Sequence, residues 1–341
     1  MTAPAVAIVR TGLVTSVGLG AEASCAAIRA KISNPTQTRF IDSGGEWIMA
    51  HGVQLENPWR GRTRLTKMAA LAIRECLDDK PRRDWAAVPL LLCVAERERP
   101  GRIDGLDETL FSELQKELDT EFAQQSLVIP HGRTSVAIAL SHARTLITEG
   151  GVSEVLIAAT DSLLHWTTLS AYERAERLLT PTNSNGFMPG EGAGAILLSI
   201  ARKEPSLFVC GVGFAREPAT IDKEEPLLGK GLAAAIKNAL AEAGCALHEL
   251  DYRISDISGE QYYFKEAALA LARVLRARKE TFEIWHPAEC IGETGATSCL
   301  ASLVVTEAAC RKSYAPGQGV LCHAANDRGE RTAIVMKFTE P

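Results

Sequence analysis

The sequence predicts an α/β protein in which two similar halves each bury a β-sheet beneath helices. Short apolar runs such as residues 88–95 are bounded by proline or polar turns, which is the pattern of strands buried on both faces. Segments with apolar residues at helical spacing alternate with these runs. The alternation restarts at residues 206–214, which repeat the apolar run and glycines near the chain start. We therefore expect a first half over residues 1–200 and a second over residues 201–341.

The first half alternates strands and helices in the order that this architecture requires. Apolar and β-branched runs predict strands over residues 5–9, 88–95, 127–129, 155–160 and 195–200. Helical spacing predicts helices over residues 21–31, 65–77, 106–123, 134–148 and 166–178. Gly, Ser, Pro and polar residues predict loops over residues 11–18, 36–64 and 180–190, and residues 191–194 form a turn that leads into the last strand.

The second half repeats this order with fewer elements. Strands are predicted over residues 206–214, 320–324 and 332–338, and a strand end with its turn over residues 254–259. Helices are predicted over residues 229–243, 266–279 and 296–314, the first closed by a glycine. Residues 326–330 form a polar turn between the last two strands.

Composition limits the classes of function. The net charge is −5, whereas a nucleic-acid-binding protein would present a basic face. The nine cysteines form no CxxC pair and most lie in apolar runs, as expected of reduced thiols in a cytoplasmic protein. No apolar run approaches the roughly 20 residues of a bilayer-spanning helix, and no basic segment precedes the first strand. We therefore expect a cytoplasmic protein that binds no nucleic acid, membrane, metal or cofactor.

One strand–turn–helix unit is the focus of the predicted site. Residues 127–129 form its strand, and residues 130–133 form a sharp bend that contains His131 and leads into a helix. Ligands of such α/β folds bind at strand ends and helix N-termini. Ser258 and Glu293 fall at positions of the same kind, so we take these three side chains as candidate site residues.

Four segments resemble the β-ketoacyl synthases. Residues 185–194 (NGFMPGEGAG) are similar to the G-F-x-x-G-E-G-A-G signature of that family. Residues 12–18 resemble its opening G-x-V-T-x-x-G, residues 136–161 its nucleophile helix and following strand, and residues 291–296 its G-H-x-x-G-A loop. The resemblance implies the thiolase fold, a five-layer αβαβα body of two similar halves. It also implies a homodimer, or a heterodimer with a related thiolase-fold partner.

The resemblance also identifies the residues at the family's catalytic positions. The family uses a Cys nucleophile at a helix N-terminus and two His residues from later loops. In this chain His131 stands where the Cys belongs, Ser258 where the first His belongs and Glu293 where the second belongs. Glu289 stands where a Lys is common, and residues 325–329 (ANDRG) replace a glycine-rich F-G-F-G-G segment.

Further residues are candidates of second rank. Asn326 and Asp327 belong to the segment that replaces the glycine-rich loop. His323 is predicted at a strand end near the site, where it would either supply a missing imidazole or serve as a structural histidine. Cys290 and Cys299 flank the loop that carries the third candidate, and we interpret them as core thiols rather than as a relocated nucleophile.

These replacements argue against acyl condensation. The reaction needs a thiolate that accepts the acyl group, and His131 has no thiol. It also needs two hydrogen-bond donors around the enolate oxygen. Ser258 offers one donor, but an ionised Glu293 at about 4 Å would repel the enolate by about 4 kcal/mol at an effective dielectric constant of about 20, roughly a thousandfold in rate.

The sequence therefore predicts a β-ketoacyl synthase homologue without the Cys-His-His triad that acts as a non-condensing partner or scaffold subunit. Two such roles stay open: a chain-length-factor-like subunit that pairs with an active synthase, and an accessory protein of a type VI secretion effector. The alternative is a divergent acyltransferase or hydrolase that acts on acyl thioesters through His131, Ser258 and Glu293. A third interpretation is a binder of a small molecule or acyl group.

An acyl carrier protein is a further candidate partner. Such carriers are acidic, and Arg60, Arg62 and Arg64 would supply a basic docking face. The competing interpretation of these arginines is an ordinary solvated surface. The two interpretations differ in whether the guanidinium groups are free or already bound within the chain.

Overall fold

The computed structural model of the protein describes residues 6–200 and 205–339. Its strands are β1 (Val6–Val14), β2 (Thr36–Ile41), β3 (Trp47–Ala50), β4 (Leu90–Cys93), β5 (Leu127–Ile129), β6 (Glu154–Ser162), β7 (Glu191–Ile200), β8 (Ser206–Arg216), β9 (Tyr252–Ser255), β10 (Ile284–Trp285), β11 (Gly319–Ala325) and β12 (Glu330–Thr339). Its α-helices are α1 (Ala21–Arg29), α2 (Gly61–Cys76), α3 (Arg82–Trp85), α4 (Leu110–Leu118), α5 (Ser135–Thr148), α6 (Trp166–Arg174), α7 (Lys230–Ala243), α8 (Gln261–Val274), α9 (Ala288–Ile291) and α10 (Thr297–Arg311).

Ten strands hydrogen-bond in the order β10-β9-β11-β12-β8-β1-β7-β6-β4-β5. The centre of this order is the antiparallel pairing of β1 with β8, which joins residues 6–8 to residues 207–209. From the centre outward, the strands β1-β7-β6-β4-β5 match β8-β12-β11-β9-β10 both in order and in parallel or antiparallel pairing. One topology therefore occurs twice, and on this basis we propose the division into residues 1–200 and 201–341.

Helices lie between and outside the two five-stranded halves. Both α5 and α10 contact strands of each half, so they form a central layer. Helices α2 and α4 cover the outer face of the first half, and α7 and α8 cover that of the second. The central α10 is buried around almost its whole circumference, as a helix enclosed by sheets must be. The layers alternate αβαβα, which confirms the predicted five-layer thiolase fold.

Two glycines show why the outer helices pack so closely on the sheet. A Cβ atom added to Gly12 in β1 would lie 2.1 Å from the Ala72 carbonyl oxygen of α2. A Cβ atom added to Gly213 in β8 would lie 2.0 Å from the Ala235 carbonyl oxygen of α7. Because β1 and β8 occupy equivalent places, the same close approach of helix to strand recurs in both halves.

Several predicted loops are instead regular structure. The first part of the loop expected at residues 11–18 belongs to β1, in which Leu13 pairs with Gly194 of β7. Residues 191–194, expected to form a turn, accordingly belong to β7. The irregular stretch expected at residues 36–64 contains the β2–β3 hairpin and the first turn of α2. The predicted opening strand included residue 5, which lies outside the described residues.

The helix predicted over residues 266–279 is displaced toward the N-terminus. Helix α8 covers Gln261–Val274, and the backbone turns extended at Leu275. The segment that follows is held elsewhere, because the Lys279 ammonium donates to the carbonyl oxygens of His248 at 2.8 Å and Leu250 at 2.7 Å. Among the helices of residues 6–200 and 205–339, none combines the length and the hydropathy of a bilayer-spanning segment.

Candidate active site

His131 lies at the turn between β5 and α5. A short 3₁₀ turn, Gly132–Thr134, follows this residue. The backbone N–H of His131 donates to the Ser135 hydroxyl at 2.9 Å. Gly132 has φ +57°, and a Cβ atom there would lie 2.0 Å from a carboxylate oxygen of Glu96. The bend predicted from sequence is therefore present, and glycine fits it because the position combines a left-handed backbone with a close neighbour.

The His131 imidazole pairs with a residue that the sequence did not single out. Its Nδ1 atom lies 3.2 Å from both carboxylate oxygens of Glu330, the first residue of β12. Glu330 also accepts hydrogen bonds from the Thr134 hydroxyl at 2.9 Å and from the Asn326 amide at 2.7 Å. The side chains of His131 and Glu330 are 43% and 39% exposed, so this histidine–carboxylate pair lies at the surface.

Ser258 and Glu293 meet in the interior. The Ser258 hydroxyl donates to Glu293 Oε2 at 2.8 Å, and Arg133 donates to the same oxygen at 3.3 Å. The other oxygen, Oε1, accepts from the Gly295 N–H at 2.9 Å and from the Ser298 hydroxyl at 3.1 Å. Both carboxylate oxygens are therefore occupied, and the buried Glu293 acts as an anchor for the loop before α10.

The structure does not assemble the three candidates into one triad. Within the described part of the chain, no hydrogen bond joins His131 to Ser258 or to Glu293. Instead, the imidazole faces Glu330 while the hydroxyl faces Glu293.

His323 lies inside β11 rather than at its end. It shares a sheet face with Leu321 and Ala325, which pack in the outer core beneath α7 and α8. Burial, together with the nearby Arg253, lowers the pKa of His323 to about 3, so the imidazole is neutral at physiological pH. The buried position and the neutral charge of His323 therefore favour a structural histidine over one that supplies a missing catalytic imidazole.

A buried ion-pair network fills the space between these groups. Arg133 donates to the Asp327 carboxylate at 2.9 Å and to the Tyr263 hydroxyl at 2.7 Å. Arg177 binds Asp327 at 2.6 Å and holds both oxygens of Glu260 at 2.7 and 2.8 Å. Asp327, a candidate of second rank, is therefore a bridge between two guanidinium groups.

The network continues toward the carboxyl ends of β4 and β6. Arg99 donates to Glu96 at 2.6 Å and to Asp161 at 2.6 Å. Asp161 in turn accepts the Ala296 N–H at 2.8 Å, next to the loop that Glu293 anchors. We define the ion-pair network as Arg99, Arg133 and Arg177 with the carboxylates of Glu96, Asp161, Asp256, Glu260, Glu293 and Asp327.

Burial and charge act in opposite directions on two of these carboxylates. Burial raises the pKa of Asp256 to about 7. The positive charge of Arg133, whose Nε lies 3.7 Å from the carboxylate, offsets this increase only in part. Burial would also raise the pKa of Asp327, but Arg133 and Arg177 more than offset it and hold that pKa below its usual range. Asp327 is therefore ionised at neutral pH, whereas Asp256 titrates close to it.

The network leaves almost no free volume. The cavity at its centre measures about 10 Å³, which is room for about one water molecule. Its lining includes Arg99, Arg133, Arg177, Glu293 and Asp327. An acyl chain has no chamber at this place in the described conformation. The sequence does give a signal for the charged residues of this network, since several of them follow directly after predicted buried strands.

The cysteines offer no replacement nucleophile near the Glu293 loop. Cys290 and Cys299 are both buried, and burial raises the pKa of the Cys290 thiol. The neighbouring Cys299 thiol, together with burial, holds the pKa of the Cys322 thiol well above its ordinary value. Both flanking thiols therefore have the character of core residues.

Two of the three candidate docking arginines are bound within the chain. Arg62 pairs with Glu113 at 2.9 Å, and it donates to the Asp104 carbonyl oxygen at 2.9 Å. Arg64 donates to the buried carboxylate of Glu191 at 2.8 Å. A basic docking face built from all three arginines is therefore not available in this structure.

Comparison with known proteins agrees with this geometry. The sequence model of the family described as "Beta-ketoacyl synthase, N-terminal domain" matches residues 132–204, which include α5, β6 and β7. Together with the strand order and the layers, this match shows a chain of the thiolase fold that resembles the β-ketoacyl synthases. A comparison with curated protein sequences finds no match.

Solved structures resemble the chain over nearly its whole length. The ishigamide ketosynthase/chain length factor is 18% identical, with a TM-score of 0.77 over 98% of this chain and 99% of that one. A type II polyketide acyl-carrier protein complex with its ketosynthase gives 16% identity and a TM-score of 0.79 over 98% and 100%. A ketosynthase in complex with its chain length factor from Xenorhabdus doucetiae gives 14% identity and a TM-score of 0.72 over 98% and 98%.

Proposed function

We propose that the protein is a non-condensing, thiolase-fold subunit that works by pairing with another protein. The observation that carries this proposal is the ion-pair network, which occupies the space where the resemblance to β-ketoacyl synthases would require an open acyl site. His131 stands at the nucleophile position without a thiol, and Glu293 is saturated by four hydrogen-bond donors. A cytoplasmic location is part of the same proposal.

A thiolase-fold partner is the favoured kind of partner. Two of the similar structures are described as a ketosynthase with a chain length factor, so one member of such a pair is a model for this chain. A third is described as a ketosynthase complex with an acyl-carrier protein, which keeps such a carrier as a candidate. The accessory role beside a type VI secretion effector rests on the resemblance to short thiolase-like accessory proteins, and the identity of the partner decides between these roles.

The outer edge of β5 is a candidate surface for the partner. The Ile129 carbonyl oxygen accepts the Val94 N–H at 3.1 Å, so Ile129 faces the neighbouring β4. Because backbone groups alternate along a parallel strand, the N–H and C=O of Val128 point away from β4. An edge strand of this kind can accept a strand from another chain. The strand also leads directly to the half-exposed His131.

We predict that the protein does not decarboxylate a malonyl thioester. Incubation with malonyl-carrier protein should release carbon dioxide at the rate of the carrier alone, because the nucleophile position lacks a thiol. The measurement is release of labelled carbon dioxide, with an active ketosynthase as the positive control. Release above background that disappears in His131→Ala would contradict the proposal.

We also predict a complex with a ketosynthase encoded beside the protein. Co-expression should give a one-to-one complex by sedimentation velocity, and Val128→Pro should abolish it, since proline removes the outward N–H of β5 while β4 stays paired. The matched control is Val128→Thr, which keeps the outward N–H at the same position. Assembly that persists in the Val128→Pro complex would exclude this edge, and a stable homodimer that ignores the ketosynthase would argue against the pairing.

A second candidate function is supported by the His131–Glu330 pair. A carboxylate that holds an imidazole in place is the arrangement of a general base. In that case the protein would hydrolyse or transfer acyl thioesters, and both His131→Ala and Glu330→Gln would abolish release of free CoA from acyl-CoA substrates. Inertness across short, medium and long acyl chains would eliminate this candidate.

A further inference from the structure

A cavity of about 190 Å³ lies beside β10, between α1, α9 and α10. Its floor is apolar and buried, formed by Ile28, Cys290 and Val305. None of its lining residues belongs to the ion-pair network. In the strand order, β10 is also at the opposite end from β5, which leads to His131. This cavity is therefore a feature that the proposed partner function does not use.

Two aromatic side chains form its walls. The rings of Trp285 and Tyr314 lie nearly parallel, with 18° between their planes and 6.5 Å between their centroids. The Tyr252 ring supports Trp285, with a centroid distance of 4.8 Å. Aromatic walls around an apolar floor favour a flat apolar group.

The cavity also has a guanidinium group available for an anion. The guanidinium of Arg29 lies 4.2 Å from the centroid of the Tyr314 ring. A guanidinium stacked on a ring keeps its N–H groups directed outward in its own plane, where a carboxylate can accept two of them. Across residues 6–200 and 205–339, Arg29 forms no ion pair, although Lys31 nearby is paired with Glu289 at 2.7 Å.

Two residues beside the cavity are in energetically unfavourable local environments. Lys31 adopts φ +56° at the end of α1, a left-handed conformation that lysine disfavours. The buried Nδ1 atom of His286 lies 3.0 Å from a carboxylate oxygen of Glu289, yet without the angle of a hydrogen bond. Among the residues that the structure describes, this atom has no other hydrogen-bond partner. Both side chains line the cavity.

We propose that this cavity binds a small aromatic carboxylate, with its ring against the walls formed by Trp285 and Tyr314 and its carboxylate on Arg29. The volume agrees with one ring and a short substituent, since an engineered apolar cavity of about 150 Å³ binds benzene. A ligand with a carboxylate is expected because of the positive charge at the mouth of the cavity. Glu289 already neutralises Lys31, so the guanidinium of Arg29 is available to bind the ligand's carboxylate.

Calorimetric titration of the full chain with phenylacetate and with its neutral analogue phenylacetamide tests this proposal. Phenylacetate should bind saturably, and at least about tenfold more tightly than the amide, because a charge-assisted pair is replaced by a neutral contact. Arg29→Gln should remove this preference while leaving the fold intact, since the side chain is exposed. The matched control is Arg83→Gln at another exposed arginine, which should leave both affinities unchanged.

A second variant fills the cavity. Val305→Phe should abolish binding of both compounds, provided that its thermal unfolding shows a folded protein. The surface variant Arg29→Gln keeps the proposal testable if the filled variant does not fold. Absence of saturable binding at millimolar concentration, equal affinity for the two compounds, or an unchanged preference in Arg29→Gln would each overturn it. Because the measurement is binding at this cavity, its result is independent of whether the protein condenses acyl groups or has a partner.

Discussion

Replacement of Arg133 by methionine is expected to lower the free energy of unfolding by about 3–5 kcal/mol, the usual cost of removing one member of a buried ion pair. Methionine retains much of the length of the side chain but none of its hydrogen bonds. The change would leave Glu293 with one donor fewer and Asp327 with Arg177 as its remaining cation. Asp256, which faces the same guanidinium, would lose its partial compensation.

Urea unfolding at neutral pH measures this loss. Arg83→Met is the control, because the Arg83 side chain is 86% exposed and exposed substitutions usually change stability by less than about 0.5 kcal/mol. Combining Arg133→Met with Glu293→Gln should recover part of the loss, since Arg133 is the cation paired with Glu293 in the described part of the chain. A loss in Arg133→Met no larger than that of the control would mean that the network contributes little to stability.

The pH dependence of stability should report on Asp256. The carboxyl has a pKa of about 7 in the folded chain, against about 3.9 in an unfolded chain. Between these values the folded state retains a proton that the unfolded state has released, so stability falls as pH rises. The contribution is complete below about pH 4 and is lost by about pH 7, for a total of about 4 kcal/mol.

Asp256→Asn should remove this dependence, because asparagine stays neutral and can still accept the Ala325 N–H that Asp256 accepts at 3.0 Å. Relative to the parent, the variant should therefore gain stability as the pH is raised from about 4 to about 7. Taking the difference between variant and parent cancels the titration of the other carboxylates. The control is Asp78→Asn at an exposed position, and parallel profiles for parent and Asp256→Asn would contradict the expectation.

The alternation of strands and helices was readable from the sequence because each buried strand is a local apolar run. Residues 88–95 and 155–160 show this, since both coincide with strands at the centre of the first half. The β2–β3 hairpin was missed because it is a small separate sheet with an exposed face, on which Ile41 and Trp47 are 45% and 46% exposed. Its residues therefore lack the continuous apolar pattern of a buried strand.

The site was less predictable than the fold. Nothing local in the sequence indicates that Arg133 binds Asp327, which lies 194 residues later. The same holds for Glu330, which is 199 residues from its partner His131. The resemblance to a family marked the positions at Ser258 and Glu293, but their hydrogen bond depends on how two loops meet in three dimensions.

The network also bears on how the chain could evolve. Opening the cleft would require the removal of several guanidinium groups and carboxylates, and each single removal leaves a buried charge with one partner fewer. At about 3–5 kcal/mol for each such step, the first would consume a large share of the roughly 5–15 kcal/mol that stabilises a typical domain. A cysteine introduced at position 131 would thus meet a cleft that remains closed. A chain that carries these charges can therefore reach an open cleft only through poorly folded intermediates.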